Sequence, residues 1–295
     1  MTSTHNGRWS VGAGDVINGR WRLERQVAEG TSVETWEGRD LELQRRVALQ
    51  IMREADLDDD DAHKAFRRRI SLLARVTHTN VVHIYDVVEH DNSLASVWEW
   101  IDGIVLEDAL RAHLEGWTAA ACVGAQLAAG LSALHTNGLT HRNVSPTNVM
   151  ITAKGIVKVT GGGRIRHLFS DSTLTDRNLL VMETAYLAPE RLDDATRDPR
   201  IDIYAAGVVL WELATGRRAI ELVRDGQQGH PDIPRVSEDL PDVPTALDDA
   251  VYAATRSDPG ERPADGTALY EALLPALPDR PAAVLAELLE DLELD

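Results

Sequence analysis

HRNVSPTN, residues 141–148, is the stretch on which the reading of this chain turns. Ahead of it runs GWTAAACVGAQLAAGLSALHTNG (116–138), apolar enough for a buried helix, with Asn137-Gly138 as its stop signal. Behind it come two short strand-like pieces, NVMIT (148–152) and GIVKVT (155–160). The loop between them carries His141, Arg142, Asn143, Ser145 and Asn148, and no carboxylate. A polar loop held between a buried helix and a strand pair is a suitable place for chemistry, yet this one offers amides where an acid or base would be wanted.

Working outward, the N-terminal side reads as strands: WRLERQV (21–27), SVETWEG (32–38), RRVALQIM (45–52), VVHIYDVVE (81–89) and LASVWEWI (94–101). One helix interrupts them, DAHKAFRRRISLLARV (61–76), with Ala62, Phe66, Ile70 and Leu73 at helical spacing. After Gly103 the pattern turns helical, beginning with VLEDALRAHL (105–114). DIYAAGVVLWELAT (202–215) is apolar nearly all round, which places it at the centre of a lobe. The C-terminal RPAAVLAELLEDLELD aligns Val284, Leu285, Leu288, Leu289 and Leu292 on one face, to cap the body or to dock a partner. The expected layout is a flexible tail (1–16), a β-rich lobe (17–102), a helical lobe (103–276) and an acidic amphipathic helix (277–295).

The 295 residues, 43% of them hydrophobic, suffice for two packed lobes. A net charge of −18 disfavours nucleic acid and anionic membrane as partners and leaves proteins. With no run of eighteen apolar residues and no basic-then-apolar leader at the N-terminus, the chain reads as cytoplasmic, without direct membrane insertion. Cys122 is the single cysteine, so no internal disulfide forms. The ten histidines show no zinc-like spacing and read as structural or surface groups.

Strands with one helix, then a helical lobe, with the loop and strand pair between, resemble the bacterial Ser/Thr protein kinase family. The resemblance spans about residues 17–275 and rests on several motifs in the family's order: GDVINGRWRLERQVAEG, RRVALQIM, HTNVVHIYDV, ETAYLAPERL, DIYAAGVVLWELATGRR and DPGERPADGTAL. It implies an α+β bilobal fold, with a five-stranded antiparallel sheet plus helix C in the N-lobe and a mainly helical C-lobe.

What the resemblance implies about the site can be followed residue by residue. Of the glycine-rich loop, AEGTSVETW keeps Gly30, with Ala28 and Val33 at the outer glycines and Thr35 at the position over the adenine. Period 2 puts Ala48 and Gln50 on one face of the third strand, where the family has its adenine-packing Ala and phosphate-binding Lys. The partner glutamate on helix C falls on Arg69. The catalytic aspartate is Asn143, the following lysine is Ser145, and the metal-binding Asp-Phe-Gly reads Gly161-Gly162-Gly163. Asn148, the second metal ligand, is kept. Trp98 stands at the back of the adenine pocket, Glu99-Trp100-Ile101-Asp102 resembles the hinge, and Met150 its floor. His141, Arg142, Ala188-Pro189-Glu190, Asp202, Gly207 and Arg262 match positions that brace the helical lobe, including a Glu190–Arg262 ion pair.

Charge neutralisation, the base and the metal carboxylate are absent together, and an amide cannot take a hydroxyl proton near neutral pH. The sequence therefore predicts a pseudokinase: a non-enzyme acting as scaffold or allosteric regulator in bacterial signalling. No cofactor is expected, with ATP disfavoured and Mg²⁺ disfavoured too for want of carboxylates. The expected partners are proteins, an active kinase or a phosphothreonine-reading domain among them. Alternatives stay open: a nucleotide-binding switch, or an atypical ATP-dependent Ser/Thr kinase or other transferase of low residual activity, drawing positive charge from Arg69 or Arg164. Ser170, Ser172, Thr173 and Thr175, with Thr2, Ser3 and Thr4, are either phospho-acceptors or ordinary polar residues.

Overall fold

The structure, a computed structural model, describes residues 11–29, 33–52, 67–68, 70–90, 93–160, 185–192, 198–222 and 232–292. These fall into two compact units, one holding residues up to 77 with 82–101, the other holding 78–81 with 102–161 and the C-terminal part.

The first unit is an antiparallel sheet of β1 (Val16–Ile17), β2 (Trp21–Glu29), β3 (Val33–Asp40), β4 (Arg45–Met52), β5 (Ile84–His90) and β6 (Ser93–Glu99). Its order is β1-β2-β3-β4-β6-β5. The sheet thus has one strand more than expected, because the two-residue β1 folds back on Trp21 and Arg22. Alternation sends Trp21, Leu23, Trp36, Val47, Leu49, Ile51 and Val97 into one core. Helical backbone is seen at 67–68 and 70–73 and gives way to a turn at Ala74 and Arg75, short of the expected end at 76; residues 61–66 and 69 of that expected helix lie outside the described residues.

At the β3–β4 corner Asp40, fully buried, accepts both Arg20 Nε (3.0 Å) and Nη2 (2.9 Å) and the backbone N–H groups of Glu42 and Leu43. The Arg20 hydrogen bonds lower its pKa to about 2, against the opposing pull of desolvation. A carboxyl depressed below its unfolded value stabilises the fold above the unfolded pKa, and that contribution is lost as the pH falls from about 4 to about 2. Asp40→Asn should therefore cost about 2 kcal/mol in urea unfolding at pH 7 and almost nothing at pH 2. A cost that did not change with pH would rule out the ion pair as its source.

The second unit opens with β7 (Gly103–Val105), a strand the sequence did not show, which joins β8 (Val149–Thr152) and β9 (Val157–Val159) in a small sheet. Its helices are α1 (Leu106–Arg111), α2 (Trp117–Thr136), α3 (Arg200–Thr215), α4 (Val236–Asp239), α5 (Thr245–Ala254), α6 (Gly266–Leu273) and α7 (Pro281–Glu290). α1 is shorter than the 105–114 expected, and His113 beyond it takes a left-handed φ of 63°. α3 is buried from Ile201 to Ala214 and ends at the left-handed Gly216, as its all-round apolarity requires. α2 alone among the described helices has the length and apolarity to cross a membrane, but those residues form the packed core against α3 and α6.

Candidate functional site

In the sheet unit, cross-strand register fixes which side chains share a face. Thr35 pairs with Gln50 and Gln50 with Ser96; Glu37 pairs with Ala48 and Ala48 with Trp98. Thr35, Ala48, Gln50 and Trp98 therefore lie together, as their sequence positions suggest. Trp98 is 3% exposed and donates Nε1–H to Ser96 Oγ at 2.7 Å, which locks the ring in place. Glu99 N–H donates to His83 O at 2.8 Å and its carboxylate accepts His83 N–H at 3.2 Å, while the Arg46 guanidinium lies 4.5 Å over the Trp100 ring. Gln50 Oε1 is buried without a hydrogen-bond partner among the described residues, an orphaned acceptor of a kind that ordinarily costs about 1–3 kcal/mol. Gly30, Arg69, Gly161 and Arg164 lie outside the described residues, as do Thr2, Ser3, Thr4, Ser170, Ser172, Thr173 and Thr175.

In the helical unit the loop 141–148 is gripped from below. Asp202 on α3 accepts the backbone N–H groups of His141 and Arg142, each at 2.7 Å, and His135 Nε2 at 3.0 Å. Burial alone would raise the Asp202 carboxyl, but the His135 hydrogen bond, the nearby imidazoles and the Arg142 N–H hold it below the ordinary carboxylate range. His135 Nδ1 accepts Gly266 N–H at 3.0 Å, so Nε2 carries the proton that faces Asp202. His141 Nδ1 accepts Asn143 N–H at 3.3 Å, and its Nε2–H donates to Thr160 O at 2.6 Å. Arg142 takes a left-handed φ of 67° to let both amides reach one carboxylate.

The polar end of the loop is an amide cluster. Asn148 Nδ2 donates to Asn143 O (2.8 Å) and Ser145 Oγ (3.3 Å), leaving Asn148 Oδ1 uncommitted among the described residues. Ser145 Oγ is 3.0 Å from Thr147 Oγ1, and the half-buried Asn143 amide makes no side-chain hydrogen bond there. Met150 sits in β8 opposite Val105 and Lys158. Farther along, Arg262, 4% exposed, makes a two-pronged pair with Glu190 at 2.7 and 2.9 Å.

Sequence reasoning missed a second network. Tyr186 donates to Glu212 (2.7 Å) and accepts from Arg218 (3.2 Å), and Arg218 also donates to Glu107 (2.9 Å). Glu107, Glu212 and Arg218 line a cavity of about 370 Å³ between α1 and the end of α3. Burial raises the Glu212 carboxyl, with Arg218 offsetting part of the effect. Arg217-Arg218 close the motif DIYAAGVVLWELATGRR, but no role was read from them; a glutamate in an otherwise apolar helix was the available clue.

With this geometry in place, comparison with known proteins is direct. The family model described as protein kinase domain matches residues 21–262, and the chain belongs to that family. It is 31% identical over 260 residues to the serine/threonine-protein kinase PknL of Mycobacterium tuberculosis, covering 86% of this chain and 65% of PknL. It is 30% identical over 256 residues to PrkC of Bacillus subtilis, covering 84% of this chain and 39% of PrkC. The chain thus spans less than two thirds of the length of these relatives. The crystal structure of the M. tuberculosis PknI kinase domain superposes with a TM-score of 0.69 at 21% identity, over 91% of this chain and all of that one, which confirms the fold.

The relatives overturn two expectations. A non-enzyme was expected, yet relatives about 30% identical over most of the chain are named serine/threonine-protein kinases, which points to an enzyme. The expectation of no cofactor falls on the same ground, since kinases of this family use ATP and Mg²⁺. The physical reason lies in what each substitution removes. A lost base or lost charge lowers a rate by on the order of 10²-fold; it does not abolish binding or positioning. The strand positions that would meet ATP carry a small side chain, Ala48, and a neutral amide, Gln50, in place of a cation. For Mg²⁺ the described residues supply one oxygen, Asn148 Oδ1, so the ion would be held mainly by phosphate and water.

Proposed function

We propose that this chain is an atypical ATP-dependent protein serine/threonine kinase domain of a cytoplasmic bacterial signalling system, slow because its site is built from amides. The carrying observation is the loop itself: Asp202 fixes the backbone of His141 and Arg142, and Thr160 fixes the His141 ring. These contacts support a loop whose backbone is held beside Asn143 and Asn148, although neither is charged. ATP with Mg²⁺ supplies the transferable phosphoryl group and most of the neutralising charge. Gln50 would donate a neutral hydrogen bond where the family has a full positive charge. Asn148 would offer Oδ1 to the metal, oriented by the two bonds its NH₂ makes. Asn143 can accept a hydrogen bond from a substrate hydroxyl and so orient it, but the proton must leave to solvent.

The test is transfer of labelled γ-phosphate to a mixed basic protein substrate with Mg²⁺ or Mn²⁺. A low rate is expected, reduced about 10-fold or more by Asn148→Ala, which removes the metal oxygen. No transfer above the protein-free background with either metal would overturn the proposal. ATP binding without transfer would leave the nucleotide-binding switch as the surviving reading.

A further inference from the structure

α7 lies beyond the region matched by the family model, which ends at Arg262. It starts after the left-handed Arg280 (φ 54°) with Pro281 at its first turn, and Leu285 is fully buried. The helix packs on α2 and on the β8–β9 turn. There the two backbones touch: Gly155, at φ 69°, has no room for a Cβ, which would land on the Ala282 carbonyl oxygen and 2.8 Å from Ala286 N. Only glycine suits both that conformation and that approach.

From the other side the turn is held by Gln126 of α2, whose Nε2 donates to Gly155 O (2.8 Å) and whose Oε1 accepts Val157 N–H (3.0 Å) and Asn80 Nδ2 (3.2 Å). The hairpin ends at the candidate site. Thr160 N–H donates to Asn148 O at 2.8 Å, and Thr160 O receives His141 Nε2–H. At about 3.3 Å per residue, β8 carries a displacement at the turn over only about 13 Å to Asn148.

We propose that α7 is a positioning strap. Anchored by the buried Leu285, it holds the β8–β9 hairpin through the Gly155 contact, and Asn148 and Thr160 keep their places only while it is docked. Any event that lifts α7 then loosens the metal-ligand end of the helical unit. The consequence for nucleotide rests on the proposed function; the mechanical coupling does not.

Hydrogen exchange on the full chain tests it. In Leu285→Asp, the amides of α7 and of residues 149–160 should both lose protection, by about 10-fold or more, while α5 keeps its own. If wild type binds ATP with Mn²⁺, affinity should fall several-fold in the same variant; if it does not, the proposed function fails and exchange still decides the strap. Release of α7 with residues 149–160 unchanged would overturn the proposal. So would a variant in which α7 stays protected, or one in which α5 loosens equally. Should Leu285→Asp not fold, Leu285→Ala is judged by the same three regions.

Discussion

Asn143→Asp raises the initial rate of phosphoryl transfer about 10²- to 10³-fold, the usual worth of a positioned general base. The loop backbone is already held by Asp202 and the His141 ring by Thr160, so the new carboxylate enters a preorganised frame. The Asn143 side chain makes no hydrogen bond among the described residues, so nothing has to be broken to accommodate it. Gln50→Lys adds a second, separable gain. It replaces a buried orphan acceptor by a cation and should lower the KM for ATP as well as raise kcat. Steady-state kinetics of the two single variants and the double variant are the measurement. A change of less than about threefold for Asn143→Asp would show that the residue does not occupy the base position.

Arg262→Ala should cost the helical unit about 3 kcal/mol, because it removes a buried cation that bridges the half-buried Glu190 and three backbone carbonyls. Besides Glu190, the guanidinium donates to the carbonyls of Arg256 (2.6 Å), Ser257 (3.0 Å) and Arg200 (3.1 Å). Its face lies 5.0 Å from the Tyr204 ring centre. Lysine cannot reproduce this planar fork, so Arg262→Lys should recover only part of the loss. Urea unfolding measures both. A loss below about 1 kcal/mol would place the pair among exposed ion pairs of little worth.

Several elements were legible because their signal is local. Alternation in RRVALQIM gives β4 at Arg45–Met52, and the all-apolar DIYAAGVVLWELAT gives the buried α3. The Glu190–Arg262 pair was readable only through the family resemblance, since 72 residues separate its members. His135 looked like one histidine among ten, yet it bridges Asp202 and the N-terminus of α6. β7 has three residues, too few for periodicity, and exists because β8 offers it an edge. The error about activity came from treating missing charges as an absolute bar, when each sets a factor in a rate.

By itself the sequence determined, through its resemblance to the kinase family, the two-lobed fold, and through residue identity the amide character of Gln50, Asn143 and Asn148. Motif order along the chain and residue identity need no coordinates. Only the tertiary structure decided what holds that site: Asp202 beneath the loop, Gln126 and Asn80 behind the hairpin, and α7 against Gly155. Those contacts join residues dozens to more than a hundred positions apart. Their strength depends on burial and hydrogen-bond geometry that no local window of sequence encodes.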